Sequence, residues 1–225
     1  MQRPVKGPGD VVSGPRRQYS SAVRAEGARR TREAVVRAAT TLFLERGYDG
    51  TSLADVAAAA GVARPTVVAA FGTKPALLSR VLDEALAGDD EPVPVRDRAW
   101  FRPVWEATTP DAVLRAYADV CVVIGGRAGH VVEALRRATD SAPEVDRLWT
   151  SWLAGRRAGA AMVVERDVVT AALRPGLTTV TAGDILWTLN DPGLYVALVE
   201  VQGWDEAVFR DWLGDTMTSL LLDGR

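Results

Sequence analysis

From Leu53 to Ala70 apolar positions recur at helical steps, with one interruption. Leu53, Val56, Ala60, Val62, Val67 and Ala70 fall where two crossing helices must bury apolar atoms. Ala57 falls at the closest approach, where only a small side chain fits, and Gly61 at the turn, where positive φ is cheapest. The pattern predicts two short helices joined by a tight turn, a helix-turn-helix whose second helix is shaped for a DNA major groove. Upstream, Val35, Ala38, Ala39, Leu42 and Phe43 give one apolar face and predict a helix over about residues 31–46. Thr31 is its expected N-cap, Glu33 puts negative charge in the first turn, and Gly47 ends it. Thr51 or Ser52 caps the next helix. Downstream, Leu77, Leu78, Val81, Leu82 and Leu86 form the stripe of a helix over about 74–87, capped by Thr73.

The pattern then breaks. Residues 88–110 hold four prolines, a charge cluster and three aromatics, and predict a long ordered loop packed through Trp100, Phe101 and Trp105. Helices follow over about 111–124 and 127–139, separated by Gly125-Gly126, and from Pro143 to about Leu173, where Arg174-Pro175-Gly176 stops the helix. Another runs from Ala182 to about Val201, kinked or split at Asn190-Asp191-Pro192-Gly193, and the last from Asp205 to about Leu222. No period-2 segment is long enough for a sheet. The expected fold is all-α, a three-helix helix-turn-helix domain over residues 29–87 including the linking helix, then a helical domain over 88–225. Residues 1–28, rich in Gly, Pro, Ser and Arg, read as a disordered basic arm.

Charge sharpens this division. Residues 1–75 carry 12 Lys and Arg against 6 Asp and Glu, a charge of +6, and residues 76–225 carry 15 against 23, a charge of −8. A basic third followed by an acidic remainder suits a DNA reader joined to a domain that avoids phosphate. Of the cations, Arg29 and Arg30 lie nearest the first helical body and are candidate phosphate contacts. The second helix of the turn would offer Arg64, Pro65 and Thr66 to DNA. Pro65 suits the first helical position, which needs no N–H, and Arg64 before it belongs to the turn or cap. Arg64 can reach guanine O6/N7 or phosphate, and Thr66 a phosphate or a thymine methyl. Lys74 opposes the dipole at its helix start, so a compensating partner is expected, phosphate being the candidate and a surface carboxylate the alternative.

Other chemistries find little support. One cysteine, Cys121, and one histidine, His130, leave no basis for an intrachain disulfide, a cysteine metal cluster or acid–base and covalent catalysis. No catalytic or cofactor fingerprint is present, so no enzyme activity, metal or cofactor is expected. No apolar run approaches a membrane span and no signal peptide is visible, giving a cytoplasmic, bacterial reading.

The blocks TREAVVRAATTLFLERGYDGTSLADVA, AAAAGVARPTVVAAF and FGTKPALLSRVLDEAL together resemble the N-terminal domain of the tetracycline-repressor (TetR) family of transcriptional regulators, over roughly residues 31–86. Thr-Arg-Glu, Glu-Arg-Gly-Tyr, Ala-Gly-Val and Phe-x-x-Lys occur in order at the family's spacing. In that family the residue equivalent to Thr51 often binds phosphate through its hydroxyl. The family usually has Tyr where this chain has Val68, and often His or Tyr where it has Ala70, so base readout leans harder on Arg64 and Thr66. The resemblance implies a sequence-specific DNA-binding regulator, unliganded on a near-palindromic DNA operator and released by a small effector. It also implies a homodimer formed through the last two helices. Leu194, Tyr195, Leu198, Trp204, Phe209 and Trp212 give those helices more apolar surface than one packed face requires, and are the candidate dimer interface. All seven Trp lie beyond residue 99. Trp105, Tyr117, Cys121, His130, Trp149, Trp152 and Trp187 are the candidate effector contacts, suiting an apolar or aromatic compound, though each also serves as ordinary core. The alternative is a ligand-independent or architectural helix-turn-helix protein.

Overall fold

Helix α1 runs Pro15–Arg46 in the computed structural model of the chain, which describes residues 15–223. It starts well before Thr31. Arg29 pairs with Glu26 and Glu33, and Arg30 lies 3.8 Å from Glu26, all at three- and four-residue spacings that support a helix. The Thr31 hydroxyl donates to the Gly27 carbonyl (3.0 Å), so it sits within the helix and caps nothing. Part of the expected basic arm is therefore helical, and residues 1–14 lie outside the described residues.

Then follow α2 (Leu53–Ala59), α3 (Arg64–Phe71), α4 (Lys74–Ala87), α5 (Arg102–Glu106), α6 (Pro110–Arg137), α7 (Pro143–Val164), α8 (Asp167–Thr170), α9 (Thr179–Leu189), α10 (Pro192–Val201) and α11 (Glu206–Leu221). The architecture is all-α, a helix-turn-helix head followed by a helical body. Among the described residues the β structure is one isolated bridge, Leu173 to Leu222. No single described helix is long and apolar enough to cross a membrane.

Two expected boundaries move. Helix α6 continues through Gly125-Gly126 instead of breaking there. Glycine costs a helix interior about 1 kcal/mol against alanine, but here its missing side chain lets α10 lie directly on α6. A Cβ on Gly125 would stand 2.5 Å from the Tyr195 Cβ, and one on Gly129 2.6 Å from the Val196 Cγ2. The second part of α10, Val196–Val201, is a π-helix over this surface. Helix α7 ends at Val164 and not near Leu173, because Arg166 donates to the carbonyls of Val104 and Ala107 (2.9 Å to the latter) and turns the chain toward α5. The split at Asn190–Gly193 occurs as expected, with Asp191 capping α10.

Two apolar clusters form. The first joins Val35, Phe43, Val56, Val67, Leu77 and Val81 of α1–α4 to Ala128, Val131 and Leu135 of α6 and Val145 of α7. The second joins α5, the first half of α6 and α7–α11. Ile124 packs against both. Between them the 88–98 segment is pinned by the buried Arg98. Its guanidinium donates to both Asp89 oxygens (2.6 Å each) and to the carbonyls of Glu91 (2.8 Å) and Val93 (3.0 Å).

Gly125→Ala should destabilise the protein by about 1–3 kcal/mol through overpacking against Tyr195, outweighing the helix-propensity gain. Urea unfolding checks this; an unchanged midpoint would mean that α10 can back away from α6.

Candidate DNA interface and internal cavity

Local interactions hold the second helix of the head outward. Ser52 caps α2 with a reciprocal pair, its hydroxyl accepting from the Asp55 N–H (3.1 Å) and the Asp55 carboxylate accepting from the Ser52 N–H (2.9 Å). Gly61, at φ 69°, makes the turn, and α2 and α3 meet at 111°. Along α3 only Val67 is buried; Arg64, Pro65, Thr66, Val68, Ala69 and Ala70 are exposed. Arg64 has no ion-pair or hydrogen-bond partner among the described residues. Pro65 takes the second helical position and Arg64 the first, one place earlier than expected. The shift costs little, since the first four N–H groups of a helix lack intrahelical partners in any case. Arg64 and Thr66 thus both lie exposed in the first turn of this helix.

Two expected DNA contacts turn out to be internal. Thr51 is 1% exposed, and its hydroxyl lies 3.1 Å from the Leu42 carbonyl and 2.9 Å from that of Gly47. It closes the α1–α2 turn, leaving Ser52 to cap. The Lys74 ammonium donates to the carbonyls of Tyr48 (2.9 Å) and Thr51 (3.1 Å) and lies 3.8 Å from the Tyr48 ring centroid. Its compensating partner is neither phosphate nor carboxylate but this same turn, which it fastens to α4. Arg29 is held between Glu26 and Glu33, which neutralise it locally, whereas Arg30 stays more open, with 69% of its side chain exposed.

Behind the head lies a cavity of about 410 Å³. Ser79, Leu82, Asp83 and Leu86 reach it from one face of α4, and Tyr117, Val120, Cys121 and Ile124 from α6. Helix α7 contributes Leu148, Trp152 and Arg156, and Phe101, Asn190 and Pro192 close the rim. Three of the seven expected contacts, Tyr117, Cys121 and Trp152, line it. Trp149 stacks on Trp152 (5.1 Å between centroids) but packs with the head cluster. Trp105 stacks on Phe101 and donates to the Arg96 carbonyl (2.7 Å), outside the cavity. Trp187 stands behind Arg156, its indole N–H buried without an acceptor among the described residues. His130 is on the surface beside Glu200. Bulk drew these four into the expected site, but their rings are used as supports and surface.

The polar groups of the cavity were the ones missed. Arg156 lies between the rings of Trp152 (4.8 Å) and Trp187 (5.3 Å). It donates to the Asn190 side-chain oxygen (3.1 and 2.8 Å), the Trp187 carbonyl (2.7 Å) and Asp191 (3.3 Å). Asn190 in turn donates to the Tyr117 hydroxyl (2.7 Å). Burial pushes the Tyr117 phenol up and lifts the Cys121 thiol to about 12, so Cys121 stays protonated and unreactive at neutral pH. Partial desolvation against the cavity wall also raises the Asp83 carboxyl, with Arg80 opposing, though the residue keeps substantial contact with water. A signal for these groups was present: Arg156 follows Trp152 by four residues, and Ser79 and Asp83 share a helix face with Leu82 and Leu86.

On the last helices, Tyr195 and Phe209 are 6% and 1% exposed and meet edge to face at 5.6 Å. They are core within the chain and cannot be the centre of an interface, a correction to two of the six expected residues. Leu194, Leu198, Trp204 and Trp212 are half-buried, and Val201, Val208 and Leu220 are exposed beside them.

Residues 35–81 match the family described as bacterial regulatory proteins, tetR family. The HTH-type transcriptional repressor BdcR of Escherichia coli (strain K12) is 37% identical over 102 residues, 44% of this chain. The match takes in 49% of BdcR, so it spans about half the length of that relative. NalD of Pseudomonas aeruginosa, the secondary repressor of the MexAB-OprM multidrug efflux pump, superimposes with a TM-score of 0.65 at 23% identity, covering 87% of this chain and 98% of NalD. The regulator FadR of Bacillus subtilis, solved with stearoyl-CoA, gives a TM-score of 0.66 at 17% identity over 84% of this chain and 98% of FadR. At such identities these structures establish the fold.

Lys74→Met should destabilise the protein by about 1–3 kcal/mol, because two carbonyls of the α1–α2 turn lose a charged donor. Thermal melting checks this, and DNA affinity measured well below the melt should change little. Asp83 gives a pH-dependent effect. Its proton is held more tightly in the folded chain, so ionised Asp83 costs stability above the folded pKa and nothing below the unfolded value. Asp83→Asn should therefore raise Tm at neutral pH, and the gain should vanish below about pH 4; a gain independent of pH would contradict the burial account.

Proposed function

We propose that this chain, whose residues 35–81 match the tetR family of bacterial regulatory proteins, is a ligand-released transcriptional repressor, acting as a homodimer on a near-palindromic operator. The observation that carries the reading is the outward presentation of Arg64 and Thr66 on a helix that buries Val67 alone. Arg64 can form a bidentate contact with guanine, and Thr66 can meet a phosphate or a thymine methyl. Arg30, the less neutralised of the α1 arginines, adds a phosphate contact without sequence preference.

One helix-turn-helix covers one half-site. Pairing through α10 and α11 would bring two recognition helices to half-sites about 34–36 Å apart. Leu194, Leu198, Trp204 and Trp212, with the exposed Val201, Val208 and Leu220, supply the apolar face for it. The cavity supports an effector site, as does the stearoyl-CoA held by FadR on the same fold. Its wall includes α4, whose first residue, Lys74, fastens the α1–α2 turn. A ligand that fits one setting of α4 better than another would shift the head accordingly, by no more than its difference in affinity for the two settings. We assign the chain no reaction.

Selection of bound DNA from a random pool should return a near-palindrome. Arg64→Ala should weaken binding to that sequence by about 5- to 150-fold, equivalent to about 1–3 kcal/mol, and weaken random DNA much less. Equal losses on both would remove Arg64 from base readout, and recovery of no preferred sequence would favour an architectural role.

A further inference from the structure

One hydrogen on the cavity wall has no acceptor, and the contacts around it show why. Arg156, with 10% of its side chain exposed, carries donors only. Asn190 must therefore turn its side-chain oxygen to it, and accepts two bonds there (3.1 and 2.8 Å). That fixes the amide, so the Asn190 nitrogen faces the Tyr117 hydroxyl at 2.7 Å and the phenol oxygen accepts. The phenol hydrogen must then point elsewhere, and it meets no acceptor among the described residues. Tyr117 is 5% exposed and lines the cavity, and burial keeps it protonated at neutral pH. One turn along α6, the Cys121 thiol, also held protonated, is a second and weaker donor on the same wall. A buried donor left without an acceptor is costly.

Resting on the effector reading above, we propose that the ligand of this cavity is an uncharged carbonyl compound, its oxygen accepting from the Tyr117 hydroxyl and its apolar body packed against Phe101, Val120 and Trp152. An alcohol is a poorer fit, since it brings a hydrogen of its own to a group of donors. An amine cation would meet the same donors, with the Arg156 charge behind them. Asp83, on another part of the wall, is exposed to water and needs no partner from a ligand. A carboxylate would give up its hydration for a cation that Asp191 already pairs (3.3 Å) and two indole rings enclose.

The test titrates the full chain, without DNA, with four probes of one shape: phenylhexanone, the alkene with a methylene in place of its oxygen, phenylhexylamine and phenylhexanoate. Binding is followed by tryptophan fluorescence, to which Trp152 on the wall contributes. The ketone should bind at least about tenfold tighter than the amine or the carboxylate. The carbonyl stretch of the bound ketone should lie below its position in hexane, and should return toward it in Tyr117→Phe. In that variant, checked for folding by circular dichroism, ketone affinity relative to the alkene should fall by about 2- to 12-fold; the alkene corrects for any change in packing. Equal or tighter binding of the amine or the carboxylate, an unshifted stretch in the wild type, or an unchanged ketone-to-alkene ratio in Tyr117→Phe would each overturn the proposal. If ketone and alkene both bind and the ratio holds, the effector reading stands and only the acceptor assignment fails; if none of the four binds, the effector reading falls with it.

Discussion

Leu77, Leu78, Val81 and Leu82 of α4 lie beneath the head with almost no surface left in water. Burial of such side chains is worth about 1.5–3 kcal/mol each, so the four hold α4 in the first apolar cluster with about 6–12 kcal/mol. Exposed ion pairs such as Arg29–Glu26 contribute about 0–1 kcal/mol. Apolar packing therefore decides how the head is attached, and the surface charges adjust it. Another face of the same helix, with Ser79, Asp83 and Leu86, lines the cavity, and Leu82 borders both. One helix thus has the helix-turn-helix head on one side and the cavity on the other.

Polar contacts then set the local geometry that burial leaves open. The Ser52–Asp55 pair fixes where α2 begins. Thr51 and Lys74 close the turn before it, and Arg98 holds the segment after α4. Each satisfies backbone groups that would otherwise be stranded at helix ends or in loops. With Thr51 and Lys74 committed internally, and Val68 and Ala70 carrying no polar tip, the polar side chains that α3 exposes are those of Arg64 and Thr66.

The helix-turn-helix was legible because each of its steps is local: an apolar period, a glycine turn, a proline near a helix start. The split at Asn190–Gly193 was legible for the same reason. Gly125-Gly126 misled because a glycine pair that breaks a helix and one that admits a neighbouring helix look alike until Tyr195 and Val196 are seen against it. The basic arm misled because its composition hid ion pairs at helical spacing around Glu26. The exposure of Arg64 and Thr66 could be read because it follows from the pattern around Val67. The cavity could not, because which face of an indole meets empty space depends on three helices at once. Size pointed to Trp105, Trp149 and Trp187, and the polar lining of Asp83, Arg156 and Asn190 went unread.

Helix α6 gives its last turns to the first apolar cluster and its first turns to the second. At 28 residues it is about 42 Å long and runs through both. The head is consequently not a detachable module. A fragment ending at Ala87 would leave the side chains that meet Ala128, Val131 and Leu135 facing water. A loosening of α6 would therefore be felt in both clusters at once.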